Sequence, residues 1–570
     1  MTPRGRQLRR GLILPITLLM LLMLGLLAGS FAFRVHADRS SFNAVTYRQQ
    51  TRLAAESGIQ KVLLLLRNQR ETPIDWYNNP DEFNRIIVWT PEDDTLWGTN
   101  EELDEGVPAF RFSIVADDPF DDEQRCRYGL TDESGKLNLN TATPEQLARL
   151  LGQVATEEDM IVGELVDALI DWRDEDDVPR EFGAEADYYG SLDTPYRPKN
   201  GNFDTVEELL LVKGFDGRVL YGEDYDRNGI MTVNEDDTDE SFPEDNGDGQ
   251  LNRGLFPYVT VYSRDLNTDP ENRARIYLYA DAEVVRGQLG EFFESQDRVD
   301  FIVAATHGGQ PQEEGEGPDE SDGEEKKSKD GADGAGDAGD EAGTNGQGDG
   351  GGDDRKGRGR RQEIQPGDED EGGTPDANTN GEGKQPGGEQ PSGGADQPAQ
   401  LASPAELLSA EVEGMTNPLT AADLPILMER TTTVDPALPQ PGLVNVLTAP
   451  PQVLRCLGEL TGEQIAAILQ TRLELTDEDR LSTAWLAGED VLGPEGYARI
   501  APYITARSLQ FTVESLGYAD HVGGISRLQV VIEMRGPVPQ VLYYRDLTKL
   551  GAVFPIREDE QEYGFGGQRG

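Results

Sequence analysis

The sequence predicts an α+β fold. A long N-terminal helix packs on an antiparallel sheet, helical units are inserted between its strands, and one long acidic segment stays unfolded. Three observations carry this. A charge-free apolar run, Leu12–Phe33, continues into residues at helical spacing. Alternating strand patterns lie at 109–116 and at 508–545. Between them, Lys136-Leu-Asn-Leu-Asn-Thr-Ala-Thr-Pro-Glu-Gln-Leu147 aligns position by position with Leu443-Val-Asn-Val-Leu-Thr-Ala-Pro-Pro-Gln-Val-Leu454.

The N-terminus sets the compartment. Arg4, Arg6, Arg9 and Arg10 precede Gly11, and the apolar run after it is long enough to cross a ~30 Å hydrocarbon core at 1.5 Å rise per residue. A cleavable secretory signal shares the basic head, but its apolar part spans only ~7–15 residues. Here the run continues without a small-x-small stop into Phe42, Val45, Gln49, Leu53, Ala54, Ile59, Val62, Leu63 and Leu66. The basic head stays cytoplasmic by the positive-inside rule, which puts the bulk of the chain across the inner membrane, in the periplasm. Basic leader, glycine, apolar helix and amphipathic helix together resemble a type IV pilin-like precursor. The resemblance implies cleavage by a prepilin peptidase after Gly11, leaving Leu12 first. It also implies Glu at the fifth mature position, where this chain has Ile16. Pro15 would then lie in the first helical turn, where a missing N–H matters little.

Residues 34–70 read as the exposed half of the helix, and 71–105, with Pro73, Pro80 and Pro91, as irregular. Strands are expected at 109–116 and at Cys126–Leu130. Thr143, Pro144 and Glu145 make a helix start. Further helices follow at Glu164–Arg173 and Thr205–Val212. The later copy of the unit has its second helix at Gln464–Arg472, and a weaker third copy starts at Arg275–Ala280 and continues through Val299–Thr306. Such repeats mark helical units that bury a face against a neighbour. The C-terminal strands are expected at Ser508–Tyr518, Ser526–Arg535 and Gln540–Arg545, with Gly523-Gly524 as the first turn.

Residues 307–400 contain Ile364 as the only large aliphatic residue and no aromatic one, and carry 25 acidic against 9 basic residues. Nothing there offsets the entropy of ordering, so a disordered acidic linker is expected. The island Arg355–Arg361 reads as a surface patch without a specific partner. The resulting division is 1–11 basic leader, 12–33 transmembrane helix, 34–130 helix and first strands, 131–268 first helical domain, 269–306 with 401–505 second helical region, 307–400 linker, and 506–556 C-terminal strands.

One motif carries chemistry. Asp224, Asp226 and Asn228 stand at positions 1, 3 and 5 of a calcium-loop spacing, with Gly229 at 6, the Ile230 carbonyl at 7 and Glu235 at 12. Hard Ca²⁺ takes six to eight oxygens, and this spacing wraps them around one point. The plainer reading is an acidic turn in an acidic protein. A second candidate, Glu244, Asn246 and Asp248, has Leu255 at position 12 and would need Asp236, Asp237 or Asp239 to complete it. Calcium at either place would be structural. Asp171–Asp177 (DWRDEDD) ends a helix, where acids oppose the dipole; a cation or pairing with Arg173, Arg180 or Arg197 would relieve it. Cys126 and Cys456 could pair in an oxidising periplasm. His36, His307 and His521 read as solvated.

Leu137–Ala142 (LNLNTA), Asp171–Asp174 (DWRD), Asp187-Tyr-Tyr189, Pro195–Pro198 (PYRP), Asn202-Phe203 with Val206–Leu211, and Leu255–Arg264 (LFPYVTVYSR) follow one another in a way that resembles the general secretion pathway protein K family. The likeness covers 1–265 well and 440–550 more loosely, while 268–440 departs from the pattern. The family is that of minor pseudopilins of type II secretion systems. The resemblance implies a pilin-like core with inserted SAM-like, helix-hairpin-helix-type domains, calcium in the globular part, and a place at the pseudopilus tip with the I and J minor pseudopilins. One member class is known for lacking the Glu that Ile16 replaces. A bulky insert that stacks poorly against a subunit above fits a cap.

Two other functions share parts of this pattern. A membrane-anchored helix-hairpin-helix DNA-binding protein of competence type shares the LNLNTA opening. However, the turn at Gly152–Asp159 is acidic and lacks Gly-x-Gly, and the net charge of −56 opposes phosphate. A membrane-anchored enzyme would need a nucleophile triad or phosphate loop, and none is legible, so no enzyme and no nucleic-acid partner are expected.

Overall fold

The apolar run and the residues after it form a single helix, α1 (Ile13–Gln69), which is 57 residues long. From Ile16 it carries a window of mean hydropathy 2.3 with none of its residues buried. The amphipathic stretch begins later than its spacing suggested: Phe42, Val45 and Leu53 are exposed, and the buried face is Ala54, Ala55, Ile59, Val62 and Leu66. The reason is the reach of the sheet, which meets the helix from about Tyr47 onward, where Tyr47 stacks on Phe110.

The computed structural model describes residues 13–69, 73–90, 98–99, 109–118, 126–154, 161–232, 235–236, 245, 247–308, 400–438, 441–458, 460–520, 522–535 and 538–551. Gly11, Leu12, Glu244, Asn246, His521 and nearly all of the 307–400 linker lie outside them. The described strands, in chain order, are β1 (Ile86–Trp89), β2 (Phe110–Val115), β3 (Thr131–Asp132), β4 (Leu137–Asn138), β5 (Val259–Thr260) and β6 (Ile276–Tyr277). After them come β7 (Thr431–Thr432), β8 (Val444–Asn445), β9 (Ile504–Thr505), β10 (Gln510–Ala519), β11 (Val522–Arg535) and β12 (Val538–Asp546).

The main sheet runs β1-β2-β10-β11-β12, and β3 pairs with the start of β10. Its pairs are antiparallel. Two expectations are corrected here. Cys126–Leu130 forms only one bridge, between Arg127 and Ala116, and the strand is β3, just beyond it. Gly523-Gly524 lies inside β11 rather than at the turn, because Ala519 already pairs with Val522. Pro539 sits on the edge strand, where a missing N–H breaks no pairing.

α1 crosses the sheet at backbone distance. A Cβ on Gly517 would overlap the Thr51 carbonyl, and one on Gly58 would press on Ser515 and Phe112. Ser515 donates to the Ala55 carbonyl at 2.8 Å, and the Thr51 and Ser526 hydroxyls lie 3.0 Å apart. Around this crossing Ile59, Val62, Leu66, Phe112, Val513 and Val530 form the core.

Between β3 and β10 the described residues build three helical units, the weaker copy from Arg275 among them. Each opens on a two-residue strand and closes on another lying parallel to it: β4 with β5, β6 with β7, β8 with β9. One further backbone bond extends each clasp, from Leu139 to Thr260 (2.8 Å), Leu278 to Thr432 (3.0 Å) and Val446 to Thr505 (3.1 Å). The region read as one, 269–306 with 401–505, therefore holds two units. The helix pairs are Pro144–Val154 with Val162–Arg173, Ala282–Leu289 with Gln296–His307, and Pro451–Leu454 with Gly462–Glu474. The expected helix at 205–212 is a 3-10 turn, Val206–Leu211.

Each unit carries the same lock. A basic side chain at or near the end of its second helix reaches a carbonyl of the opening turn. Arg173 donates to Leu139 and Ala142, Arg472 donates to Ala449 at 3.0 Å, and His307 Nε2 lies 2.7 Å from the Ala280 oxygen. His307 is thus the last residue of a helix, not the first of a linker, and Arg173 does not pair with the nearby acids. The first and third units share one core, including Leu147, Leu150, Leu169, Val446, Leu454 and Ile468. The middle unit has most of its core to itself, around Leu278, Val285, Leu289 and Phe301. Cys126 and Cys456 are both free thiols.

Candidate metal centre

The 224–235 loop follows a short helix, Gly217–Tyr221, and turns through two residues of positive φ, Arg227 and Gly229. Asp224 draws the turn closed: its Oδ1 accepts from Asn228 N at 3.0 Å and its Oδ2 from Gly229 N at 3.0 Å. Glu235 returns over the same turn, accepting from Tyr225 N (3.2 Å) and from both Thr232 N (2.9 Å) and its hydroxyl (2.7 Å). Asp224, Asp226 and Glu235 each present an oxygen, all within 4.8 Å of one another.

The electrostatics of this group are unfavourable as it stands. Burial, then Glu235, pushes the Asp224 carboxyl up to about 6. Burial, with Glu235 and Asp224 adding to it, pushes Asp226 up to about 8. Burial also raises Glu235. Asp226 Oδ1 is buried without a hydrogen-bond partner. An orphaned oxygen among convergent buried carboxylates is the donor set a hard divalent cation takes. The sequence-expected residues Asp224, Asp226 and Glu235 are therefore brought together. Asn228 lies beside them, its Nδ2 donating to Asp226 at 3.1 Å and its Oδ1 accepting from Ile230 N at 2.5 Å. Ile230 turns its side chain onto Val115, Leu516 and Tyr518 of the sheet.

The second candidate fares differently. Asp248 is exposed and its Oδ1 accepts from Gln250 N at 2.7 Å within its own turn. The buried acid there is Asp245, which accepts from Gly247 N at 2.7 Å.

Spacing did not reveal the residues that fasten the loop. Arg527, fully buried on β11, pairs with Glu514 and donates to the carbonyls of Asp226 (2.9 Å) and Arg227 (3.1 Å). Arg253 donates to Asp117 at 2.8 Å and to the Gly229 carbonyl at 3.0 Å. Arg227 pairs with Glu207 at 3.1 Å, and Glu207 also takes Arg545 of β12.

A membrane-length helix laid on an antiparallel sheet, clasped helical units set into the sheet and an acidic metal-type loop fastened to it make up the described architecture. Residues 129–221 match the family model described as type II secretion system (T2SS), protein K. Type II secretion system protein K of Pectobacterium carotovorum subsp. carotovorum is 37% identical over 78 residues, 14% of this chain and 24% of the relative. The chain thus matches about a quarter of that relative's length. A chain from the crystal structure of the GspK-GspI-GspJ complex of enterotoxigenic Escherichia coli aligns over 90% of this chain and 99% of its own, with TM-score 0.35 and 10% identity. The likeness to the type II secretion system protein K family thus rests on the domain at 129–221.

Proposed function

We propose that the chain is a minor pseudopilin at the tip of a type II secretion pseudopilus, anchored in the inner membrane by α1 with its bulk in the periplasm. The observation that carries this is the placement of the protein K domain. It is inserted into a helix-on-sheet scaffold whose N-terminal helix is apolar and exposed from Ile16 to beyond Phe33. The role is structural: α1 holds the chain in the membrane and, after assembly, against neighbouring helices. The units between β3 and β10 add bulk that leaves no room for a further subunit above. The partners in this reading are I- and J-type minor pseudopilins, in line with the complex of the related structure. Prepilin peptidase cleaves after Gly11. The three units are SAM-like, and 309–399 is an acidic linker inserted in the middle one.

Calcium belongs to the same proposal. Asp224, Asp226 and Glu235 would hold it, with Asn228 and the Ile230 carbonyl beside them, and the orphaned Asp226 Oδ1 supports the fit. When bound, the ion neutralises the clustered carboxylates. Glu244, Asn246 and Asp248 remain a weaker second place. Nothing favours the nucleic-acid reading, since buried and exposed acids on the first unit would repel phosphate.

The test is genetic and chemical together. Deleting the gene in its own bacterium is expected to stop export of type II substrates, and restoring the chain to recover it. Membrane-extracted protein is expected to start at Leu12 and to co-purify with the I- and J-type subunits. Unchanged export together with an uncut Met1 would sink the proposal.

A further inference from the structure

The joint between the middle and third units holds a cavity of about 60 Å³. Its wall includes the closing strands β7 and β9, with Ser403, Met428, Arg275 and Glu429. Two of these side chains have unmet needs. Glu429 is 9% exposed, and its Oε2 has no hydrogen-bond partner. Arg275 donates to Asp265 through Nη1 at 2.7 Å, yet its buried Nε has no partner. The wall thus carries one unmet acceptor and one unmet donor.

The local sequence explains why neither is satisfied at home. Helix Leu424–Arg430 buries Leu424 and Leu427 in two different cores, and Glu429 falls at the joint between them. The neighbouring Arg430 is taken by Asp269 and Glu271. Hydroxyls of the wall are committed elsewhere. Thr431 donates to the Leu427 carbonyl at 2.6 Å, Thr433 donates to the Ala402 carbonyl at 3.3 Å, and the Thr483 and Tyr497 hydroxyls lie 2.8 Å apart. A buried carboxylate oxygen and a buried guanidinium N–H without partners are each costly, so an occupant that meets both gains hydrogen bonds the empty cavity lacks.

Charge selects the class of occupant. Arg275, Arg507, Asp265 and Asp269 are the charged groups around Glu429, and Asp269 is already paired with Arg273 and Arg430. Glu429 and Asp265 then balance Arg275 and Arg507. A lone cation or anion would upset this balance and leave one of the two groups unmet. A molecule carrying both an ammonium and a carboxylate keeps it: the ammonium donates to Glu429 Oε2 and the carboxylate accepts from Arg275 Nε. Size narrows the class. At about 10–15 Å³ per water position, the cavity has room for roughly four to six non-hydrogen atoms, the size of glycine or alanine.

We propose that this cavity binds a small free α-amino acid, glycine fitting best, between Glu429 and Arg275. The occupant fills the seam between β7 and β9, and the site is independent of the metal loop and of any place in a pseudopilus. Burial raises the Glu429 carboxyl in the empty protein, against the pull of Arg275 and Arg507. The ammonium needs the ionised form, so affinity falls as pH drops through that raised value.

The experiment is equilibrium dialysis of the full chain in detergent, freed of amino acids, against radiolabelled glycine. One saturable glycine per chain is expected. N,N,N-trimethylglycine, methylammonium and acetate are expected to compete at least about tenfold more weakly, because the first has no N–H and the others meet one group each. Glu429→Gln is expected to weaken glycine about tenfold or more. Lowering the pH from about 8 to about 5 is expected to weaken binding to wild type and to leave the variant unchanged. No saturable glycine would leave the cavity to water and refute the site. Equal competition by trimethylglycine refutes it too, marking glycine as an osmolyte only, as does equal glycine affinity in Glu429→Gln. Should that variant not fold, the competition series on wild type decides alone.

Discussion

Gly517 shows what a single residue decides here. It stands on the central strand where α1 crosses, paired to Phe112 on one side and Ser526 on the other. A methyl group has no place to go, because the atom it meets is the Thr51 backbone carbonyl. Gly517→Ala is expected to lower stability by about 2 kcal/mol or more, measured as a reduced denaturant midpoint with unchanged slope. Glu429 makes a different point. It is buried between the middle and third units with Oε2 unpaired, and burial raises its carboxyl despite Arg275 and Arg507 nearby. A carboxyl raised in the folded state binds its proton more tightly there than in the unfolded chain. Its ionisation therefore weakens the fold as pH rises from the ordinary carboxylate range near 4.5 through the raised value. Glu429→Gln is expected to be more stable than wild type above that window and to lose its advantage as pH falls through it. Thermal melts between pH 4 and 8 would show a constant difference if the reading is wrong. At this scale the sequence was only partly legible. The oxygens of Asp224, Asp226 and Glu235 follow from spacing along one loop. The meeting of Glu185 with Asp174 does not, because the Asp171 carboxylate, accepting from Ala184 N, draws Glu185 back through a turn whose geometry no local spacing encodes.

Among elements, the 224–235 loop is the one most exposed to conditions. Its acids are held close by backbone donors and by Arg527 and Arg253, which tie it to the sheet through Glu514 and Asp117. Chelation is expected to lower the melting temperature and to raise amide exchange at 224–232. Calcium restores both, because an ion that binds only the folded chain stabilises it. Equal exchange with and without calcium would show the loop needs no ion. The strands and the paired helices were readable because alternation and 3.6-residue spacing are local signals. α1 fits the sequence in length but not in its buried face, since where an amphipathic stripe is covered depends on the strand that meets it. The middle unit was faint for a similar reason. Its lock is His307 where the others have arginine, and its opening strand lacks the Asn of Asn138 and Asn445.

At the scale of the whole chain, the segment 309–399 leaves and re-enters at one place. His307 lies against the Ala280 carbonyl, and Leu401 N donates to the Tyr279 hydroxyl at 2.6 Å. Replacing 311–397 by a short Gly/Ser bridge is therefore expected to leave the melting temperature within a few degrees and calcium binding unchanged. Loss of the cooperative transition on this replacement would mean the segment belongs to the core. The opening net charge also divides by scale, since −16 of the −56 sits in 307–400 and part of the rest gathers in the acidic clusters Asp174, Asp176 and Glu185 and Asp224, Asp226 and Glu235.

The parallel clasps have a consequence for how such a chain can change over generations. β3 and β10 are neighbours in the sheet, with Asp132 opposite Phe511, although everything from 133 to 509 lies between them. Each unit in turn starts and stops on adjacent strands, and the long segment does the same within its unit. The molecule is nested like parentheses. Whatever is written inside a closed pair leaves the text outside it grammatical, so material can be added, duplicated or removed at any depth without moving the helix and sheet that frame it.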